Sequence, residues 1–469
     1  ATSVQVTLLH GDQFDTVDIR SFRFDAILPQ EERTLEFTIK PHATVLDLKL
    51  EVVYDDVEGV TKMIEFGDRL ELKESRKEFR IIPNPYYTGA PSPDKKMFYG
   101  READMGFLKD NLTRPAKSVI VLYGQRRSGK TTMLLQLINT FATEKHIPVL
   151  IDMQRLSYHL SINSFLCKVA LAIARAMQKK GFSICNPERA DFEVDPTLAF
   201  DTFLDTAEEQ LGEQKLILMI DEFEVLEEQV FKGKLQAEIF EYLRDILQHR
   251  PNINFLFSGT HKITEYTKWY RSVFFNIARH HRLSKLDPQS AEDLIQKPVE
   301  GFIEYESFAV KKIHHLTADQ PYLIHLFCRA IIDYCNERRK VYVTINDVNA
   351  VQYEVMQTGQ FHFDWLWDQI KPEERVVISA LAEGGKVDGG WLSLARLEDI
   401  YRSTATPFTR ESLRASLKTL VDADFIESRT NNGRDGASDS YSFRIPVGLT
   451  REWLLKERPL EEVRKELGN

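Results

Sequence analysis

GQRRSGKTT, residues 124–132, stands between the apolar run SVIVLY (118–123) and the amphipathic stretch MLLQLINTF (133–141). Gly124, Gly129, Lys130 and Thr131 fit G-x-x-x-x-G-K-[ST]. In such a loop, glycines let successive backbone N–H groups turn inward around phosphate oxygens. Lys130 supplies a point charge for the β- and γ-phosphates, and Thr131 offers a hydroxyl to Mg²⁺. The N-terminus of the following helix adds partial positive charge. Gly124, Arg127, Ser128, Gly129, Lys130, Thr131 and Thr132 are therefore the expected binders of ATP or ADP with Mg²⁺.

A phosphate loop of this kind needs an acid at the end of a neighbouring buried strand. KLILMIDEFEVL (215–226) provides it. Asp221 is expected to hold the metal, together with Thr131, and Glu222 to orient the attacking water. A protein built only to hold nucleotide does not need that glutamate, so hydrolysis is the expectation, with slow turnover. A third run, INFLFSGTHK (253–262), ends in hydroxyls that could feel the γ-phosphate. Ser258 and Thr260 are the candidates, and Thr260 joins Lys130 and Glu222 as a catalytic expectation. SVIVLY, PVLIDM (148–153), KLILMI and NFLFSG are short and apolar without alternation. Strands with that texture belong to a parallel sheet covered by helices on both faces.

Outward from this core the texture changes. Residues 1–88 carry short Val-, Ile-, Phe- and Thr-rich runs, from VQVTLL to EFRIIP, several of them alternating polar with apolar. They predict an all-β sandwich. NPYYTGAPSPDKK (84–96), with three prolines and a glycine, reads as an extended linker. The expected ATPase core spans 89–285. Residues 286–360 show three- and four-residue apolar spacing and predict a helical lid. Residues 361–469 end in three helical patterns and two short strands around NNGRDGASD, the order of a winged helix.

Composition narrows the partners. With 469 residues the chain has room for about three domains. Its net charge of −10 argues against general polyanion binding. No window has the ~18 unbroken apolar residues of a membrane helix. Four cysteines without C-x-x-C spacing suggest a reducing, cytoplasmic setting, with Cys328 as a buried apolar thiol. The chain opens ATSVQVTLLH, without an initiator Met or a signal-peptide pattern. A cut inside a longer protein, processing and a chosen boundary all account for that start.

FYGRE (98–102), GQRRSGKTTML, LILMIDEFE, FLFSGTH and RLSKLDPQSAEDLI together resemble the STAND class of signal-transduction ATPases. They are also similar to the related archaeal and origin-recognition-type AAA+ ATPases. The resemblance covers about residues 84–469. It implies an adenine pocket lined by Phe98, Tyr99, Gly100 and Arg101. It also implies a lid helix touching nucleotide through a G-x-P start, for which this chain has Asp319-Gln320-Pro321, matching only at Pro321. Class members lock their ADP form through a winged-helix histidine, but residues 371–469 contain none. Arg271, Arg279 and Arg282 lie where an AAA+ assembly places an arginine reaching a neighbour's γ-phosphate.

The resemblance thus implies a nucleotide-driven regulatory switch acting through self-association or a protein partner, and defence is a role common in the class. The alternative is a DNA-loading ATPase of the origin-recognition type. Its DNA would meet residues 409–445, where Arg410, Arg414 and Lys418 form one basic stripe. Residues 371–469 hold 16 Lys+Arg against 17 Asp+Glu, which favours a protein-facing or intramolecular role over duplex binding.

Overall fold

Val4, Val6 and Leu8 alternate with polar residues, and that period of two places them on the buried face of one strand. The computed structural model describes every residue except 17–19, 28–32, 34, 36, 38, 57–58, 73–78, 90, 92–93, 115, 142–145, 157–159, 261–277, 386–389, 403–408, 431–440 and 469. The chain forms two compact units, Ala1–Phe79 and Arg80–Asn469.

In the first unit, β1 (Thr2–Leu8) pairs antiparallel with β3 (Ser21–Ala26) and β5 (Val45–Asp55), and β5 pairs with β6 (Thr61–Glu71). A two-stranded ribbon of β2 (Phe14–Thr16) and β4 (Ile39–Pro41) accompanies this sheet. Leu8, Phe14 and Leu46 form its small core.

The unit stops at Phe79, so the described residues of the run EFRIIP add no strand to it and part of the expected 1–88 segment lies elsewhere. Ile82 is buried among the helices of the second unit. There the Asn336 side chain takes the place of a strand partner. It accepts from the Ile82 N–H at 2.8 Å and donates to the Ile82 carbonyl at 3.0 Å.

The second unit is built on a five-stranded parallel sheet. Its strands are β7 (Val119–Tyr123), β8 (His146–Asp152), β9 (Lys215–Asp221), β10 (Ile253–Gly259) and β11 (Arg279–Arg282), in the order β11-β7-β10-β9-β8. The four apolar runs became strands because helices cover both faces. Buried clusters lie on each side, one with Val119, Val121 and Phe255, the other with Ile120, Leu122 and Leu256. The strand β11, Arg-His-His-Arg, has no apolar run to mark it, and it contains Arg279 and Arg282, two of the candidate trans-acting arginines. In the fold Arg279 donates to Asn111 at 2.6 Å and Arg282 pairs with Asp424. Arg271 lies outside the described residues.

Helices follow where three- and four-residue spacing predicts them. Pro288–Gln296, Ser307–Thr317, Pro321–Arg338 and Ile345–Thr358 form the layer expected as a lid, with a two-residue parallel bridge between β12 (Glu304–Tyr305) and β13 (Tyr342–Val343). Then come Pro372–Gly384, β14 (Leu392–Ser393), Leu394–Arg402, Arg410–Asp422, β15 (Glu427–Thr430) and β16 (Tyr441–Arg444). The last three strands form one sheet in the order β14-β16-β15. Helices Gly448–Glu457 and Leu460–Gly468 complete the chain. One buried cluster runs from Ile82 through Leu294, Phe327 and Val377 to Val463, so the helical layer and the C-terminal region share a core.

Candidate active site

The order β7-β10-β9 brings the ends of three strands side by side at Tyr123, Gly259 and Asp221. Ligands of open parallel sheets bind outside such carboxyl ends, where the chain path reverses across the sheet. Here β7 is followed by β8 at the far edge, with β10 and β9 between them. The loop 124–129 fills that crevice and leads into the helix Lys130–Phe141.

The glycines of the loop answer to two constraints. A Cβ on Gly124 would sit 2.4 Å from the Leu283 carbonyl oxygen, so only glycine fits beside the end of β11. Gly129 has φ +97°, a conformation that glycine reaches without the usual side-chain clash. Lys130 is buried, and its Nζ donates to the Gly124 and Gln125 carbonyls, both at 2.9 Å. Burial lowers its pKa, and the carboxylates of Glu224, Asp221 and Glu222 oppose that shift. The Thr131 hydroxyl donates to Asp221 Oδ2 at 2.6 Å, so the two expected metal ligands already touch.

Glu222 has φ +51°, a left-handed backbone that turns the chain sharply after β9. Its N–H donates to Asp221 Oδ1 at 3.1 Å. Burial raises its pKa first, and the nearby charges of Asp221, Glu224 and Asp152 raise it further. Thr260 is reached from β10, and both its N–H and its hydroxyl donate to Glu224 Oε1, at 3.1 and 3.0 Å. Ser258, the other candidate hydroxyl, is fully buried, and its Oγ has no hydrogen-bond partner among the described residues.

A cavity of about 340 Å³ joins these groups. Of the expected site residues, Tyr99, Arg101, Arg127, Ser128, Gly129, Lys130, Thr131, Thr132, Asp221, Glu222, Thr260 and Pro321 line it. Gly100 and Gly124 do not, and shape it from behind. Gly100 has φ +65°, and a Cβ there would lie 2.4 Å from that of Ser290. Arg101 acts on the loop itself. Buried at 5 % exposure, it donates to the Ser128 carbonyl at 3.2 Å and to the Ser284 carbonyl at 2.7 Å.

The departure from G-x-P has a local remedy. Asp319 has φ +61°, which a glycine would adopt freely. Its carboxylate is held by His314 Nδ1 at 2.5 Å, and its carbonyl accepts from the Leu286 N–H at 3.0 Å. Pro321 then starts its helix against the cavity.

Sequence reading missed one whole wall. Tyr87, Thr88 and Pro91, from the segment taken as a linker, line the cavity with Met97, Tyr322 and His325. The segment's described residues 84–89 form no helix or strand, and side chains pin them. Tyr86 donates its hydroxyl to the Ile295 carbonyl at 2.7 Å, and Arg329 donates to Thr88 at 2.8 Å. His325 accepts from the Tyr87 N–H through Nδ1, and burial pulls its pKa down to about 4, so it presents a neutral ring.

On its outer side the loop meets the C-terminal region. Gln125 donates to the Ala423 and Asp424 carbonyls at 3.3 and 3.0 Å and accepts from Gln320 at 3.1 Å. Lys285 pairs with Glu427 at 3.2 Å, and Arg444 pairs with the same carboxylate at 2.8 Å. Arg127 lies 4.0 Å from the centre of the Tyr322 ring, and Arg126 5.0 Å from that of Trp365.

Comparisons with known proteins agree with this geometry. No curated protein matches the chain. Among solved structures, the Walker-type ATPase PABY2304 of Pyrococcus abyssi is similar in fold at 16 % identity, with 77 % of this chain and 98 % of that one covered and a TM-score of 0.54. Cdc6p of Pyrobaculum aerophilum (15 % identity, 82 % and 97 % covered) and the Aeropyrum pernix Orc1 protein in complex with DNA (16 %, 78 % and 94 %) both reach only 0.38, too low to bear on this chain. Residues 98–327 match a family described as an ATPase domain predominantly from Archaea. The five-stranded sheet with the phosphate loop at its switch point lies within the matched residues, so fold and family match point to the same stretch, 98–327, as similar to an archaeal-type P-loop ATPase domain.

Proposed function

We propose that the chain binds and slowly hydrolyses ATP as an AAA+-type ATPase related to the origin-recognition kind, and that its nucleotide state sets the seating of the C-terminal region. The observation that carries this reading is the Thr131–Asp221 contact beneath the loop, with Glu222 one residue further on at the cavity. Those two oxygens fit Mg²⁺, which takes one or two protein ligands and completes its octahedron with phosphate oxygens and water. When bound, the metal would neutralise charge on the β- and γ-phosphates. Lys130 would leave its own loop carbonyls for phosphate oxygens, and Glu222 would orient the attacking water. Tyr99, Pro321 and Met97 would flank the base. The order helix, strand, helix, helix, hairpin in 372–444 supports a winged helix, with 286–360 as lid and the β-rich first unit as a sandwich-type sensor or spacer.

A second reading, a STAND-type signalling switch, is supported by one feature: Gln125 of the phosphate loop bonds directly to the turn at Ala423–Asp424. A lock of that kind needs no histidine.

The core of both readings is tested by ATP affinity and phosphate release. Lys130→Ala is expected to lose nucleotide binding, while Glu222→Gln keeps it and slows release by about 10²-fold or more. Equal ATP affinity in Lys130→Ala and the parent chain refutes the assignment.

A further inference from the structure

Two carboxylates follow Asp221, and only the first has been given work. Glu224 opens the helix Glu224–Phe231, where an acid commonly offsets the helix dipole. That bland role does not explain its surroundings. Its Oε1 takes both the N–H and the hydroxyl of Thr260, across from the neighbouring strand. Its Oε2 is buried with no hydrogen-bond partner among the described residues. Gly259 makes room for that oxygen, since a Cβ there would come within 2.7 Å of it.

We infer that Glu224 is a positioning residue which ties Thr260 to the Asp221–Glu222 turn, so that the γ-phosphate is read by the Thr260–Glu224 pair and not by Thr260 alone. The inference rests on the ATPase reading above. Its physical basis is the proton of the Thr260 hydroxyl. While that proton points at Glu224, Thr260 presents lone pairs and not a donor to the cavity. A γ-phosphate that draws the hydroxyl toward itself pulls on Glu224, two residues from Glu222. The adjacent strands β9 and β10 hold the two ends in register, with Asp221 opposite Ser258. The unpaired oxygen lets the carboxylate rotate without breaking another bond.

The test is a set of full-length variants, measured for ATP affinity and for steady-state phosphate release as kcat and its pH profile. Glu224→Ala is expected to keep ATP affinity within about threefold and to lower kcat by ~10–100-fold, the scale of a misplaced reacting group. Glu224→Gln, whose amide oxygen still accepts from Thr260, is expected to recover at least half of that loss on a logarithmic scale. Thr260→Val is expected to add little on top of Glu224→Ala, because the two act as one unit. Equal losses in Glu224→Ala and Glu224→Gln with an altered pH profile would make Glu224 a proton acceptor and overturn the inference. Additive losses, or an unchanged kcat in Glu224→Ala, overturn it as well. Should Glu224→Ala not fold, Thr260→Val against Thr260→Ser decides: a loss in Val that Ser partly repairs supports the pair, and no loss in Val refutes it. A parent chain that binds ATP but releases no phosphate removes the ATPase reading, and this inference with it; a parent that turns over separates the two.

Discussion

Glu222 is held in an unfavourable setting for a charge, with burial and three carboxylates all favouring its neutral form. A raised pKa means that the carboxylate is lost sooner as pH falls. The acid limb of kcat/KM, which reports the free enzyme, is therefore expected above the ordinary ~4.3 of a glutamate. Asp152 is one of the charges that raise it, and its side chain otherwise caps the backbone N–H groups of Gln154 and Arg155. Asp152→Asn should shift the limb to lower pH in a phosphate-release titration. A limb that stays in place would remove that charge from the account. Lys130, Thr131 and Asp221 were legible in the sequence because each is dictated by a short local pattern. Glu224 was not. Its importance depends on Thr260, thirty-six residues away and brought close only by strand pairing.

At the scale of elements, legibility followed burial. The middles of strands β7 to β10 are largely apolar because helices press on both faces, and an unalternating run announces that. The edge strand β11 has a partner on one side only and carries four basic or imidazole side chains, so no hydrophobic signal marks it. The prolines of 84–96 read as an extended linker, but composition could not show that Ile295 would hold Tyr86, and Arg329 hold Thr88, beside the cavity. The turn after the helix Arg410–Asp422 is another such case, since Asp424 reaches the phosphate loop through its carbonyl. Its seating is reinforced by Glu427, which faces both Lys285 and Arg444. Partly exposed pairs of this kind are worth about 0.2–1 kcal/mol each. Glu427→Lys would replace two attractions by repulsions, and release of a fluorescent ADP should quicken by roughly fivefold, about 1 kcal/mol. An unchanged release rate would mean that the C-terminal region does not restrain the loop.

For the molecule as a whole, charge separates the two readings of function. The net charge of −10 argues against general polyanion binding, so any contact with duplex DNA would have to be local. The stripe on the helix Arg410–Asp422 is smaller than the sequence implied, because Arg410 is engaged by Glu398. The loop bearing Arg434 lies outside the described residues. Even if Arg410 exchanged Glu398 for a phosphate, Arg410, Arg414 and Lys418 could neutralise at most about three phosphates, which sets a salt slope from this stripe no steeper than about −2.7 in log K against log salt. If the chain loads or remodels DNA, binding should be measurable at low salt with that shallow slope and should be lost on Arg414→Glu. Sizing the protein with ADP and with a non-hydrolysable ATP analogue, with and without duplex DNA, then gives the decisive contrast. Assembly that needs both the analogue and DNA fits an origin-recognition-type ATPase, and assembly with the analogue alone fits the switch. In either case Lys130→Ala must not assemble, since both readings route the change through the same loop. An assembly indifferent to nucleotide would separate the shape of this molecule from the site at its centre.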